Sequence, residues 1–188
     1  MQKIKVKAMV QGAMLVAIYG VLAIVNAYTG SIFDVMFSYV MVLPMTWYTR
    51  EYSLKQSLVV VFASGVVLTM MPGLFFIFFS VPTLLMGIFY GEALKRGYTK
   101  KNTYIGLLII SAIKNYFIFF IFGSLLDISI MAEGIEMQQQ ILSMLPGLQN
   151  VLTPMVIFII IWVFIFILEA YIIMAYSNLF LNRIMKKK

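Results

Sequence analysis

Long apolar runs alternate with short polar segments along the whole chain, and this alternation predicts membrane-spanning helices. A helix that crosses the hydrocarbon core of a bilayer needs about 20 mainly apolar residues. Six runs approach or exceed that length, so the pattern predicts an all-α membrane protein, a bundle of six transmembrane helices. No linker or polar region is large enough to fold apart, so residues 1–188 are expected to form a single integral membrane domain. The predicted spans are residues 7–28, 32–49, 56–71, 74–94, 103–126 and 151–181.

The count of six depends on the turn signal Met71-Pro72-Gly73, which separates the third run from the fourth. With six spans, all four basic clusters fall on one face of the membrane, whereas with five they would not. Because Lys and Arg are enriched in cytoplasmic loops, both termini are predicted to be cytoplasmic. Thirteen of the 14 Lys and Arg residues belong to these clusters: Lys3/Lys5/Lys7, Arg50/Lys55, Lys95/Arg96/Lys100/Lys101 and Arg183/Lys186/Lys187/Lys188.

The connection at residues 128–150 is long and is predicted to lie on the outer side of the membrane. Within it, Ile135, Ile141, Leu142 and Leu145 recur near helical spacing beside a run of three glutamines. This pattern is typical of a short amphipathic helix that lies on a membrane surface or over a cavity. The sequence therefore predicts such a helix in the loop between spans five and six.

Composition fits this architecture and excludes several functions. The chain is 63% hydrophobic and 11% charged, and its net charge of +7 is explained by cytoplasmic loops rather than by nucleic-acid binding. Because it has no Cys and no His, thiolate catalysis and the commonest metal ligands are excluded. No nucleotide-binding loop or pair of catalytic carboxylates occurs. We therefore expect a protein that is not an enzyme and holds no cofactor or metal.

Lys114 and Glu169 are the two formal charges deep inside the predicted spans, away from the span ends. Lys114 follows Lys101 by thirteen residues and Glu169 precedes Arg183 by fourteen, which places both about 20 Å from the cytoplasmic edge along their helices. An ionised group at that depth is costly and is a functional candidate. We expect the two residues to face each other or a common cavity; a purely structural ion pair is the alternative.

Other polar residues extend this pattern to three helices. Span five repeats polar residues at steps of three and four, and span six repeats them every seven residues, which in each case places them on one helical face. The small and hydroxyl residues of span four fit either ligand contact or close helix packing. The residues concerned are Ser80, Thr83, Gly87 and Gly91 in span four, Ser111, Lys114 and Asn115 in span five, and Trp162, Glu169 and Tyr176 in span six.

Span one carries a small-residue pair, Ala13 and Ala17, within the segment KAMVQGAMLVAIYG. Small residues four apart let another helix approach closely, either inside the bundle or from a partner subunit. The chain has 188 residues, six predicted spans and predicted cytoplasmic termini. Together with the pair Ala13 and Ala17, these features resemble the substrate-binding S components of energy-coupling factor (ECF) vitamin transporters.

The resemblance implies a subunit in the bacterial plasma membrane that captures a vitamin or vitamin precursor from outside. It implies partners as well: a transmembrane coupling protein, which Ala13 and Ala17 would face, and two cytoplasmic ATPases. An aromatic, partly charged ligand is expected; a vitamin B6-like ligand is favoured weakly, and pantothenate, riboflavin or thiamine precursors and a queuosine precursor stay open. The implied ligand region includes Asp34, Phe75, Phe79, Ser80, Thr83, Lys114, Asn115 and Trp162, with Glu169 deeper but also a candidate.

Two other functions fit the same sequence. A six-span scaffold of the cell-wall elongation machinery has similar size and needs no ligand. A stand-alone ion-coupled carrier would use Lys114 and Glu169 and would transport without partners.

Overall fold

The computed structural model describes residues 2–30, 32–70, 74–122, 130–143 and 153–185, and these residues form helices joined by short turns and bends. The predicted all-α class is thus confirmed for the described part of the chain. Seven α-helices and one π-helical segment are found there: α1 Gln2–Tyr28, α2 Asp34–Glu51, α3 Leu54–Thr69, α4 Leu74–Lys95, α5 Lys100–Tyr116, the π-helical segment Phe117–Phe122, α6 Ile130–Ser143 and α7 Pro154–Met185.

Within the described residues, four segments are long and apolar enough to cross a bilayer: Val6–Tyr28, Phe76–Lys95, Lys100–Ile121 and Pro154–Arg183. The chain is therefore a multi-pass membrane protein. Helix α3 is apolar but shorter, with 16 residues, and α2 carries three charged residues within its 18. Both helices nevertheless coincide with predicted spans two and three. The turn at residues 71–73 lies outside the described residues.

Local sequence signals explain where several helices begin and end. Ser53 caps α3, because its hydroxyl accepts a hydrogen bond from the Gln56 backbone N–H while the Gln56 side chain accepts from the Ser53 backbone. Gly30 and Gly97 follow the ends of α1 and α4 with φ angles of +71° and +68°, which L-residues with a Cβ rarely adopt. Pro154 is the first residue of α7, where its missing N–H costs no hydrogen bond.

The chain divides into two compact units, and the boundaries fall inside α5 and α7. The first unit comprises residues 1–107 and 172–188, and the second comprises residues 108–171. The core of the first unit is a buried cluster from helices α1 to α4. Two buried tyrosines cross-link these helices, since the Tyr19 hydroxyl donates to the Met41 carbonyl at 2.9 Å and the Tyr48 hydroxyl donates to the Ala8 carbonyl at 2.9 Å.

Helices α2 and α4 pack closely in the first unit because glycines on α4 meet the backbone of α2. A Cβ added at Gly91 would lie 2.6 Å from the Thr46 carbonyl oxygen and 2.8 Å from the Thr49 Cβ. A Cβ at Gly87 would lie 3.1 Å from the Val42 carbonyl oxygen. These glycines therefore serve helix packing, which was one of the two interpretations left open by the sequence.

The second unit contains the predicted short helix, which is confirmed as α6. Its buried side includes Leu142, as the apolar pattern predicts, but it also includes Gln138, one turn earlier. Gln139 and Gln140 are exposed. Leu145 lies outside the described residues.

Candidate functional site

A buried ion pair joins α5 to α7 within the second unit. The Lys114 Nζ donates to Glu169 Oε1, and the side chains of the two residues are only 4% and 1% exposed. The juxtaposition predicted from their equal depth is therefore observed. Because an ion is far more costly in a low-dielectric interior than in water, each charge depends on the other for its stability there.

The second oxygen of the Glu169 carboxylate is bound by the neighbouring turn of α5. Ser111 Oγ donates to Glu169 Oε2, and Asn115 Nδ2 donates to the same atom at 3.1 Å. Asn115 Nδ2 also lies 2.9 Å from the Ser111 carbonyl oxygen. Three donors from one helical face thus converge on one carboxylate. Two of these donors are neutral, so the carboxylate keeps two hydrogen bonds if Lys114 turns to another anion.

The helical spacing of α5 produces this convergence. Residues three and four apart lie on one face of an α-helix, which places Ser111, Lys114 and Asn115 toward the same neighbour. The α-helical pattern ends at Tyr116, and Phe117–Phe122 continues as a π-helix. Single π-helical turns are often found at functional sites.

An aromatic cluster surrounds Trp162 of α7, seven residues before Glu169. Two of its rings come from the π-helical segment, with centroids 5.8 Å (Phe119) and 6.1 Å (Phe120) from the Trp162 ring. Two more come from α7 itself, Phe158 at 6.5 Å and Phe166 at 4.8 Å. At about 1.5 Å per residue, this cluster is centred about 10 Å along α7 from the carboxylate of the ion pair.

Two polar atoms of the second unit are buried without a hydrogen-bond partner among the described residues: Trp162 Nε1, a donor, and Gln138 Oε1, an acceptor. Buried polar groups are almost always hydrogen-bonded, so each such exception calls for an explanation. Helix α6 approaches the aromatic cluster, because a Cβ added at Gly134 would lie 2.5 Å from the Phe158 ring. A polar ligand or a water molecule would satisfy both atoms.

The predicted ligand residues of spans two and four lie in the first unit, where their polar groups bond to other side chains or to the backbone. Asn26 Nδ2 donates to the Asp34 carboxylate. Ser80 and Ser38 share a hydrogen bond with an oxygen–oxygen distance of 2.9 Å. The Thr83 hydroxyl donates to the carbonyl of Phe79.

The partners of these residues were not predicted from the sequence, although Ser38 follows Asp34 by one helical turn. The buried position of Gln138 was not predicted either. Phe79 is half-buried, and the side chain of Phe75 lies outside the described part of the structure. Within the described residues, no three Asp or Glu side chains gather into a group that could hold a metal ion.

The small-residue pair of α1 lies on an exposed face. Ala13 and Ala17 are both exposed, whereas Leu15 and Tyr19 are buried in the core of the first unit. The pair therefore does not serve packing among the described helices, and this face of α1 is available to another protein or to lipid.

Comparisons with known proteins give one positive result. No curated protein matches the chain, and no solved structure matches it either. Residues 17–174, which include Ala17, Lys114 and Glu169, match a family described as "Predicted membrane protein (DUF2232)". Since this match covers most of the sequence, the chain belongs to that family of predicted membrane proteins.

Proposed function

We propose that this protein is a membrane-embedded substrate-binding subunit of an ECF-type importer. In this role it captures a vitamin or vitamin precursor from outside the cell and delivers it through a transmembrane coupling protein and two cytoplasmic ATPases. The proposal includes six spans with both termini in the cytoplasm, because this arrangement gathers all basic clusters on one face.

The buried Lys114–Glu169 pair is the observation that carries the proposal. Ionisable residues inside membrane helices are costly, and they often mark substrate or ion pathways. Here Lys114 shares the carboxylate with two neutral donors, Ser111 and Asn115. If Lys114 leaves the carboxylate, Glu169 keeps the hydrogen bonds that Ser111 and Asn115 donate.

Capture then proceeds by an exchange of partners. A ligand carboxylate, phenolate or phosphate takes the ammonium of Lys114, while Glu169 keeps its bonds to Ser111 and Asn115. The aromatic ring of the same ligand packs among the rings around Trp162, whose Nε1 has no hydrogen-bond partner in the described part of the chain. A flat ring and an anionic group about 10 Å apart or less match this arrangement, since seven helical residues separate Trp162 from Glu169.

The exposed pair Ala13 and Ala17 supports the proposed contact with a coupling subunit. Without bulky side chains, the α1 backbone at these positions can be approached closely by a partner helix. In this proposal, ligand is held by the second unit and the partner is bound by α1 of the first.

Ligand binding is expected to stabilise the purified protein against heat. A ligand present at 100 times its dissociation constant adds about 2.7 kcal/mol to the free energy of unfolding. We expect one member of a panel containing vitamin B6 forms, pantothenate, riboflavin and thiamine precursors to raise the melting temperature. Differential scanning fluorimetry in detergent measures the effect.

Trp162→Phe tests the contribution of the indole N–H to binding, because it keeps an aromatic ring but removes that donor. It should fold normally and bind the same ligand more weakly. No stabilisation by any compound in the panel would contradict capture and favour the scaffold function. Uptake into vesicles that contain this chain alone, abolished by an ionophore, would instead identify an ion-coupled carrier.

Bulky residues on the exposed face of α1 are expected to block partner binding. Ala13→Trp combined with Ala17→Trp should abolish co-purification with a coupling subunit from the native host, because two indoles prevent close helix approach. Ligand-dependent stabilisation should persist in the same variant. Met14→Trp, at an exposed position of α1 off this stripe, is the control; assembly of the double variant at the control level would refute the docking face.

A further inference from the structure

A groove of about 480 Å³ lies between α1 and α3 on the first unit, and none of the proposed ligand-contact residues lines it. Its floor is closed where the two helices meet, since a Cβ added at Gly12 would lie 2.8 Å from Val60 and 3.0 Å from the Tyr48 hydroxyl. The groove is lined by Met9, Gly12, Ala13 and Val16 of α1, Tyr48 of α2, and Lys55, Gln56, Val59, Val60 and Ala63 of α3.

The walls of this groove offer almost no unpaired polar group. The Tyr48 hydroxyl donates to the Ala8 carbonyl, and Gln56 is engaged in the capping box with Ser53. Large apolar side chains beside the groove are exposed, among them Met9 and Val59. Exposed apolar surface of this kind faces hydrocarbon in a membrane protein, so the occupant of the groove is itself apolar along most of its length.

One end of the groove is positively charged. Lys55 lines it there, and Lys95 lies close by, because its Nζ donates to the carbonyl of Tyr52 at 2.6 Å. Lys7 and Arg50 belong to the same end of the first unit, on α1 and α2. The nearby acidic residues are fewer than the basic ones: Glu92 pairs with Arg96, which leaves Glu51 against the four cations Lys7, Arg50, Lys55 and Lys95.

We propose that this groove binds one acyl chain of an anionic phospholipid, with the lipid phosphate at Lys55. Seven residues separate Gln56 from Ala63, so the apolar channel extends about 10 Å from the charged end along α3. An anionic headgroup above an apolar chain matches both the charge and the shape of the site.

This site is independent of the proposed vitamin capture, which uses the second unit. It overlaps the proposed docking pair at one residue, because Ala13 lines the groove and Ala17 does not. A protein that fails to bind any vitamin can therefore still bind this lipid, and the reverse holds as well.

The test uses the full-length chain in detergent with phosphatidylglycerol or phosphatidylcholine added, and native mass spectrometry counts the retained lipids. We expect the wild type to retain phosphatidylglycerol preferentially. Lys55→Gln should lower that preference about fivefold, the contribution of one lysine near an anionic surface. Lys100→Gln, an exposed lysine that does not line the groove, should leave the preference unchanged.

A labelling experiment locates the lipid, since the chain has no natural cysteine. Val59→Cys, at an exposed position of the groove wall, should be protected from alkylation by phosphatidylglycerol, whereas Val66→Cys, exposed on α3 outside the groove, should not. Equal retention of both lipids by wild type and Lys55→Gln would overturn the proposal. So would protection of Val59→Cys by inorganic phosphate alone, or only by a coupling subunit.

Discussion

Replacing Lys114 with methionine is expected to lower the free energy of unfolding by about 3–5 kcal/mol. The change removes the only cation beside the Glu169 carboxylate among the described contacts and leaves that charge in a site where its side chain is 1% exposed. Ser111 and Asn115 still donate to it, but neutral donors do not balance a full charge in an interior of low dielectric constant. Denaturant unfolding in detergent micelles, followed by near-ultraviolet circular dichroism, measures the loss.

Two variants make this prediction specific to the ion pair. Glu169→Gln combined with Lys114→Met removes both charges and should recover most of the stability lost in the single variant, because uncharged replacements of a buried pair are often neutral. Lys101→Met, at the exposed start of α5, should change stability by no more than about 0.5 kcal/mol. A single variant as stable as Lys101→Met would show that the two charges do not depend on each other.

The same variants separate a binding role from a structural one. If Lys114 takes the ligand anion, the stable double variant loses its response to every compound that stabilises the wild type. If the pair is structural alone, the double variant keeps that response unchanged. Stability and ligand response are thus read independently from one set of proteins.

Gly91→Ala is expected to destabilise the first unit by about 1–3 kcal/mol, the usual cost of overpacking a close interior contact. The new Cβ would lie 2.6 Å from the Thr46 carbonyl oxygen, which belongs to the α2 backbone and cannot rotate away. Helices α2 and α4 would have to separate locally. Thermal unfolding in detergent, compared with wild type, measures the effect.

Two other glycines form a graded series with Gly91. A Cβ at Gly87 would lie 3.1 Å from the Val42 carbonyl oxygen, so Gly87→Ala should cost less than Gly91→Ala. A Cβ at Gly65 meets only the Val81 side chain at 3.7 Å, an ordinary contact, and Gly65→Ala should match or exceed wild-type stability because alanine favours helix. If Gly91→Ala proves as stable as Gly65→Ala, the close approach of α2 and α4 is refuted.

Apolar run length and turn signals were enough to locate the helices. A helix at Leu74–Lys95 coincides with predicted span four, residues 74–94, and a helix at Ile130–Ser143 lies within the amphipathic pattern at residues 128–150. These features depend on neighbouring residues alone, through hydrophobic burial and local hydrogen bonding. The expectation that Lys114 and Glu169 face each other or a common cavity followed from a different argument, the equal depth of two charges that are costly in hydrocarbon.

Features that depend on contacts between distant residues could not be predicted in this way. Nothing in the spacing of Ser80 indicates that Ser38 would share its hydrogen bond, because the two are 42 residues apart. Gln138 is the first of three consecutive glutamines, and the sequence alone does not distinguish it from Gln139 and Gln140, which are exposed. The π-helical segment Phe117–Phe122 was also missed, since its apolar composition equally fits an α-helix.

The π-helical segment Phe117–Phe122 affects how the chain can accommodate an inserted or deleted residue. In an α-helix, consecutive residues point about 100° apart, yet Phe119 and Phe120 both contact the Trp162 ring. A π-helical turn takes up one more residue than an α-helical turn. A single-residue insertion or deletion at residues 117–122 is therefore expected to be absorbed by conversion between π- and α-helical winding, which leaves the position of Lys114 on α5 unchanged.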